Sequence, residues 1–153
     1  MKEQQKKYEL TDEFIVHWSG KKLYRIRALV AFGAVAAGQL GGFVESEKNL
    51  DQSLSGNAWV YGNAQVYGNA WVRSYAVISE RKMIFWASNV GSENGTLTVF
   101  NGKDGLIVTR GCFTGTVDEF LAKSAEVHDD KTKNEYKLLI EVAKSRILGV
   151  KDE

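Results

Sequence analysis

A six-residue phrase, repeated three times from Gly56 to Arg73 as GNAWVY-GNAQVY-GNAWVR, constrains the fold of this chain more than any other feature. The Gly and Asn that open each phrase tolerate positive φ and therefore predict a turn every six residues. The Ala and the Val of each phrase are two positions apart, so their side chains share one face of a short strand. Regular turns with small and β-branched residues on one face are the hexapeptide pattern of a parallel β-helix.

The inward positions of this pattern continue beyond the three phrases, to about five in all. The residue between Ala and Val is expected to point outward, and Trp59 and Trp71 hold two of these positions. Val77 holds another and is expected to stack beside Trp59. So short a solenoid leaves much apolar surface uncovered, which predicts caps, self-association or both. The expected inward residues are Leu54, Val60, Val66, Val72 and Ile78, with Ala58, Ala64, Ala70 and Ala76 as small companions.

The segment before the repeat is predicted to start with a hairpin. Residues 14–18 and 23–29 read as its two strands, because the second one alternates polar and apolar residues. Residues 32–44 are glycine-rich and are interpreted as an irregular first coil, with Gly41 and Gly42 in a turn. Residues 1–79, the hairpin and the repeat, form the first predicted domain.

Residues 80–153 are predicted to form a second domain of the α+β type. Its strand candidates are joined by glycine-containing connections, which is typical of an antiparallel meander. Thr116 and Glu119 have the spacing of a capping box and predict the start of a helix. A second helix is expected over residues 132–148, where apolar residues recur at helical spacing. The strand candidates are residues 83–86, 96–100 and 106–109.

Composition limits the classes of protein that fit this chain. A formal net charge of +1 gives no overall attraction to nucleic acid or to an acidic membrane. The one cysteine cannot form an internal disulfide, which favours a reducing cytosol. Because no segment reads as a membrane span or a signal peptide, we expect a cytoplasmic protein. No metal-ligand spacing, phosphate loop or dinucleotide motif occurs, so no metal site or cofactor is predicted.

Few residues in the sequence could carry out catalysis. Cys112 is the one candidate nucleophile, because it lies just before a predicted helix N-terminus, although a packed small hydrophobe is the alternative. His17 and His128 are interpreted as surface or helix-end residues. Arg110 and the amides that follow it could form an anion site at the helix start, with a surface ion pair as the alternative. The sequence therefore assigns no catalytic residue.

Two family resemblances arise from these segments. The GNAWV phrases resemble the left-handed β-helix of the hexapeptide-repeat proteins, whose best-known members are acyltransferases and generally trimers. Acetyltransferases of that group commonly use a coil histidine as general base, and the phrases here contain none. The second resemblance covers nearly the whole chain and is to a hexapeptide-repeat family common in phage and prophage genomes. It is carried by the GNAWV phrases and by residues 8–10, 23–29, 40–45, 49–50, 104–105, 111–113, 115–116 and 119–120.

Together these features predict a mainly β fold with C-terminal helices: a short left-handed parallel β-helix, then an antiparallel meander and two α-helices. The phage resemblance implies a non-catalytic binding protein, expected to be a homotrimer in the bacterial cytoplasm. It would inhibit host machinery such as a defence system, by blocking a host protein complex or sequestering a nucleotide signal. A hexapeptide-type acyltransferase and a structural phage assembly protein are the alternatives. The expected ligand- or partner-binding residues are Trp59, Tyr61, Tyr67, Trp71, Arg73 and Arg110.

Overall fold

The computed structural model describes residues 6–54 and 57–149 of the chain. Within them lie ten β-strands followed by two α-helices, which confirms the prediction of a mainly β protein with C-terminal helices. The first six strands are β1 (Tyr8–Val16), β2 (Lys22–Ala28), β3 (Leu40–Val44), β4 (Trp59–Val60), β5 (Gln65–Val66) and β6 (Val77–Ile78). They are followed by β7 (Ile84–Val90), β8 (Gly95–Gly102), β9 (Gly105–Arg110), β10 (Phe113–Thr116), α1 (Val117–Val127) and α2 (Asp130–Leu148). Short 3-10 helices span Glu47–Asn49 and Arg81–Met83.

The N-terminal sheet has the strand order β1-β2-β3-β5. β1 and β2 form the predicted hairpin, with Val16 opposite Lys22 and Gly20 in the connecting turn at φ 93°. β1 begins at Tyr8, earlier than predicted, because residues without a visible period still pair with β2. The pairing shifts between Leu10 and Phe14, which makes this edge strand irregular there.

β3 is a strand where the sequence predicts an irregular coil, and Gly41 and Gly42 lie inside it instead of in a turn. A Cβ on Gly41 would lie 2.5 Å from the carbonyl oxygen of Val60. A Cβ on Gly42 would lie 2.6 Å from the carbonyl oxygen of Ala64. Glycine is required at both positions because the backbone of the repeat passes directly against β3.

The predicted left-handed parallel β-helix is wrong. Among the described residues, parallel pairing is limited to β3 with β5, β4 with β6, and one bridge between Leu50 and Val72. The repeat contributes strands of only two residues each, and the remaining sheet pairs are antiparallel. The physical reason is that the repeat has too few phrases to form a solenoid by itself. The antiparallel strands before and after it therefore supply most of the sheet hydrogen bonds.

The repeat nevertheless packs its inward side as predicted, with one exception. Its four inward alanines and the aliphatic residues from Val60 to Ile78 are at most 1% exposed, and they join the core beneath the hairpin. Leu54 is 45% exposed and is therefore not an inward residue. Positive φ is found at the turn residues Asn57, Gly62 and Gly68, as the opening Gly-Asn pairs predict.

Trp59 is completely buried, which corrects the prediction of an outward side chain. Its indole packs edge-on against Tyr8 and Phe32, with ring centroids 6.1 and 5.3 Å apart. β1 and the segment after β2 cover this side of the repeat, so a position facing away from Val60 still lies inside the protein. The predicted placement of Val77 beside Trp59 is confirmed by their pairing in β6 and β4.

The C-terminal sheet has the order β10-β9-β8-β7 and is antiparallel throughout, which confirms the predicted meander. β10 is a strand in addition to the three predicted ones. α1 begins at the predicted capping box, where Thr116 Oγ1 accepts from the amide of Glu119 at 3.1 Å. α2 packs on β7 and buries Tyr136 and Ile140 in a second core.

The C-terminal sheet is fastened to the repeat at the backbone of Trp71. The amide of Trp71 donates to Thr98 Oγ1 at 3.3 Å, and Thr109 Oγ1 donates to the carbonyl oxygen of Trp71 at 3.0 Å. The amide of Lys103 donates to the carbonyl oxygen of Tyr75 at 2.8 Å. Because Thr98 and Thr109 are buried, these bonds fix the third phrase against β8 and β9.

Candidate ligand-binding groove

The candidate groove lies at the end of β9, where the linings of two pockets share Arg110. β9 ends at Arg110, and Gly111 at φ 57° turns the chain directly into β10. This tight turn holds Arg110 beside Glu93, which lies in the connection between β7 and β8. Arg110 is therefore approached by the connection between β7 and β8, by the turn at Gly111 and by α2.

The Arg110 side chain is held in place but not fully satisfied. Its Nε donates to the Tyr136 hydroxyl at 2.7 Å, and its Nη1 lies 3.6 Å from Oε1 of Glu93. Its Nη2 is buried and has no hydrogen-bond partner among the described residues. Since the Glu93 side chain is 79% exposed, that ion pair is weak. A buried guanidinium N–H without an acceptor is costly, so an anion that reached Nη2 after a small movement of the Arg110 side chain would be stabilised.

Arg73 is mainly a structural residue of the same region. Its guanidinium lies 3.7 Å from the ring centre of Trp71, and its Nη2 donates to the carbonyl oxygen of Phe113 at 3.0 Å. Burial lowers the pKa of Arg73 below its usual value, while the Asp51 carboxylate acts in the opposite direction. Arg73 thus ties the end of the repeat to β10 and supports one face of the Trp71 indole.

Two pockets make up the groove, one on each face of the C-terminal sheet, and Glu93, Arg110 and Gly111 line both. The Arg110 side chain lies with Leu97 on the face toward the helices, and Thr98 and Thr109 lie on the face toward the repeat. The larger, of about 500 Å³, is called the phenyl lobe, and the smaller, of about 250 Å³, the threonine lobe. The phenyl lobe has a size typical of small-molecule sites, for which about 300–1,000 Å³ is common, and the threonine lobe is smaller than that range. The phenyl lobe is further lined by Cys112, Phe113, Phe120, Lys123, Ser124, Val127 and His128. The threonine lobe is further lined by Asn69, Trp71, Gly95, Thr96, Thr98 and Thr109.

Cys112 and His128 lie in the same lobe, although the sequence separates them and gives no sign of their proximity. The Cys112 side chain is a free thiol and is exposed. Nδ1 of His128 lies 2.8 Å from Oγ of Ser124, which holds the imidazole against α1. The ring of His128 also tilts over Tyr136, with 5.3 Å between centroids. His128 is therefore a residue of the groove wall, not an isolated helix-end side chain.

Three of the six predicted binding residues meet at the groove: Trp71 and Arg110 line it, and Arg73 supports its wall. The others lie elsewhere. Trp59 is in the core, and Tyr61 is half-buried against that core, where burial raises its pKa. Tyr67 packs between His17 and Trp86, with ring centroids 4.4 and 4.8 Å away. Sequence reasoning missed Lys123, His128 and Glu93, whose local sequence carries no binding signal.

In residues 6–54 and 57–149, no group of three or more His, Cys, Asp or Glu side chains is arranged to hold a metal ion. Over the same ranges, neither helix combines the length and apolar composition needed to cross a membrane.

The fold and the groove define a mainly β protein with a ligand-sized pocket between its C-terminal sheet and α1 and a smaller one between that sheet and the repeat. No protein-family model, curated protein or solved structure matches the chain.

Proposed function

We propose that this chain is a non-catalytic binding protein, encoded by a phage or prophage, that works in the cytoplasm of the bacterial host. Its task is to sequester a small nucleotide signal in the Arg110 groove and so to inhibit host machinery such as a defence system. The observation that carries this proposal is the buried Nη2 of Arg110, a donor without an acceptor among the described residues. Phosphate and carboxylate oxygens are the acceptors that a guanidinium binds best.

The walls of the groove support a ligand that combines an anion with a planar ring. Lys123 adds a second positive charge on the α1 side of the phenyl lobe. Phe113 in that lobe and Trp71 in the other offer aromatic surfaces, and Trp71 is 37% exposed. Nucleobases stack on such side chains whatever the base, because every base presents a π face. A nucleotide satisfies both requirements with one molecule.

Self-association is part of the proposal because the repeat is short. We propose a homotrimer, in which exposed apolar side chains outside the groove are covered by other copies. Light scattering on the purified protein tests this assembly independently of any ligand, since a monomer at micromolar concentration contradicts it.

Calorimetric titration with a panel of nucleotides tests the binding function. At least one nucleotide should bind, and it should protect Cys112 from iodoacetamide because Cys112 lines the phenyl lobe. Arg110→Lys keeps the charge but loses the guanidinium fork, so it should weaken binding about tenfold or more. Lys123→Gln should weaken binding several-fold, whereas Lys137→Gln, an exposed change on α2, should leave the affinity unaltered. If no nucleotide binds, the proposal is refuted.

A second candidate function, blocking a host protein complex, is favoured by the outer face of the β1–β2 hairpin. Phe14, Val16 and Trp18 follow one another at every second position and are 44%, 63% and 88% exposed. Exposed apolar clusters often mark protein interaction sites. Trp18→Ser should therefore abolish capture of a host protein from lysate, while Leu138→Ser, at a 52% exposed position on α2, should not. Equal capture by both variants would exclude the hairpin as the docking face.

A further inference from the structure

We infer that a further pocket of this protein binds a small organic cation that carries a primary ammonium group. This pocket, called the Tyr75 pocket, has a volume of about 340 Å³ and is lined by residues from the end of the repeat, the β8–β9 turn, β10 and the first turn of α1. Tyr75, Asp104, Thr114 and Glu119 belong to this lining. Within residues 6–54 and 57–149 it shares no lining residue with either lobe of the Arg110 groove, so the inference goes beyond the proposed function.

The repeat departs from its own pattern at this pocket. Ser74 and Tyr75 open a fourth phrase, residues 74–79, in the places that Gly and Asn hold in the first three. Gly62 and Gly68 have φ 57° and 65°, and Ser74 keeps this left-handed conformation at φ 69°, which is costly for a residue with a side chain. Tyr75 is 53% exposed. The fourth phrase thus gives up favourable turn residues and places a hydroxyl group and an aromatic ring in the lining instead.

Thr114 contributes a polar atom without a partner to the same lining. It lies opposite Thr109 in the sheet, so its side chain is on the face toward the repeat, where Thr109 contacts the backbone of Trp71. Its Oγ1 is buried and has no hydrogen-bond partner among the described residues. A threonine hydroxyl can accept two hydrogen bonds, and leaving it unpaired inside a protein is costly. A ligand with N–H donors removes this cost.

The charge of the lining selects a cation. Asp104 and Glu119 are its two carboxylates, and no lysine, arginine or histidine is among the described residues that line it. Neither carboxylate forms an ion pair with another described residue. Glu119 Oε1 accepts from the amide of Thr116 at 2.8 Å, which orients this carboxylate. An anion is therefore repelled, whereas an ammonium group forms charge-assisted hydrogen bonds with carboxylates and is attracted to the Tyr75 ring.

The remaining lining suits a short carbon chain. Leu106 and Ile107 contribute apolar side chains. β10 pairs with β9 only as far as Ile107, so residues 105 and 106 form an open sheet edge beside the pocket. A volume of about 340 Å³ is at the lower end of small-molecule sites. The ligand class is therefore a small aliphatic amine.

Titrations of the full chain, followed by two-dimensional amide NMR spectra, test this inference. The probes are butylammonium, choline, glucose and acetate. Butylammonium should shift the amide signals of Gly105 and Gly115 in a saturable way and should bind at least about fivefold more tightly than the other three. Equal or tighter binding of choline would show that N–H donors are not needed, and tighter binding of glucose would indicate a sugar site, so either result overturns the inference. The absence of a saturable shift with butylammonium refutes it. All of these results leave the Arg110 groove untouched.

Restoring the residues of the repeat gives a second test that does not depend on damaging the fold. The double variant Ser74→Gly, Tyr75→Asn should be at least as stable as the wild type, because glycine adopts positive φ without strain, yet it should bind butylammonium about tenfold more weakly. Glu119→Gln removes one charge but keeps the capping box, and it should weaken binding several-fold. Glu141→Gln, an exposed change on α2 with the same loss of charge, is the control and should leave the affinity unaltered. If the two glutamine variants weaken binding equally, the amine responds only to net charge and the Tyr75 pocket is excluded.

Discussion

The buried ammonium group of Lys7 makes the stability of this protein depend on pH in an unusual direction. Lys7 is fully buried, its Nζ donates to the carbonyl oxygen of Ala58 at 2.7 Å, and it lies 5.1 Å from the ring centre of Phe32. Burial lowers the pKa of Lys7 from 10.5 to about 8, and the Asp51 carboxylate only partly offsets this. The folded protein therefore releases this proton well before the unfolded chain does.

The sign of the effect follows from proton binding. Between pH 8 and pH 10.5 the unfolded chain binds more protons at Lys7 than the folded protein, so the free energy of unfolding rises with pH across this window. The whole difference in pKa corresponds to about 3 kcal/mol. Tyr8 sets the upper end of this pH window. Burial raises the pKa of Tyr8 above the usual 10.0 in the folded protein, so stability falls once Tyr8 ionises in the unfolded chain. We therefore expect a rise of about 2–3 kcal/mol between pH 8 and pH 10.

Lys7→Met isolates this contribution. At pH 7 the substitution removes the cost of burying a charge but leaves the Ala58 carbonyl without its donor, so the two effects of about 1–3 kcal/mol nearly cancel. At pH 10 the wild type contains a neutral amine and should be more stable than the variant by about 1–3 kcal/mol. Urea unfolding followed by tryptophan fluorescence at pH 7, 8, 9 and 10 measures both. Lys137→Met, an exposed change on α2, should follow the wild type. A difference between wild type and Lys7→Met that stays constant from pH 7 to pH 10 would refute the reasoning.

Two further predictions concern buried contacts. Asn49 is buried, and its Nδ2 donates to the carbonyl oxygens of Ala70 and Gly68 at 2.8 and 3.2 Å. Asn49→Ala should therefore lower the free energy of unfolding, measured in urea, by about 2–3 kcal/mol. Asn63→Ala, at an exposed position, is the control. Gly91 has φ 77° and its Cβ position overlaps the Tyr136 hydroxyl, so Gly91→Ala should lower the melting temperature markedly, whereas Gly95→Ala, with open space around it, should not. An unchanged melting temperature for Gly91→Ala would show that Tyr136 moves aside at little cost.

The sequence predicts the local parts of this fold well, because their signals are short-range. The capping box of Thr116 and Glu119, the two helices, the meander and the inward alanines all follow from spacing within a few residues. The prediction that Trp59 points outward is wrong, because the position next to Val60 faces away from the interior of the repeat but not away from the rest of the protein. Tyr8 and Phe32, both far away in sequence, decide that this side is covered. The prediction of a left-handed β-helix is wrong for the same reason: strands distant in sequence pair beside the repeat and complete the sheets.

The candidate groove is less accessible to sequence reasoning than the fold. Trp71 and Arg110 can be picked out, one as an aromatic residue in an outward position and the other as a cation before glycines. Their neighbours Glu93, Lys123 and His128 come from a loop and a helix whose composition is ordinary for a protein surface. Only the turn of the chain at Gly111 and the packing of α1 bring these side chains together. The charge and the exposure of the groove residues depend on how these segments pack together, so the spacing of residues in the sequence does not predict them.

The third phrase joins the stability of this protein to its proposed binding. The bonds from Thr98 and Thr109 to the backbone of Trp71 fasten the C-terminal sheet to the repeat, and the same two threonines line the groove. The wall that a ligand would contact is therefore also the joint between the two parts of the chain. A ligand in the threonine lobe would contact both sides of this joint and stabilise it, because binding to the folded state alone raises the free energy of unfolding. Conversely, a substitution that weakens the packing of the C-terminal sheet on the repeat should weaken binding without removing any ligand contact. The threonine lobe keeps its shape only while the sheet remains docked on the repeat.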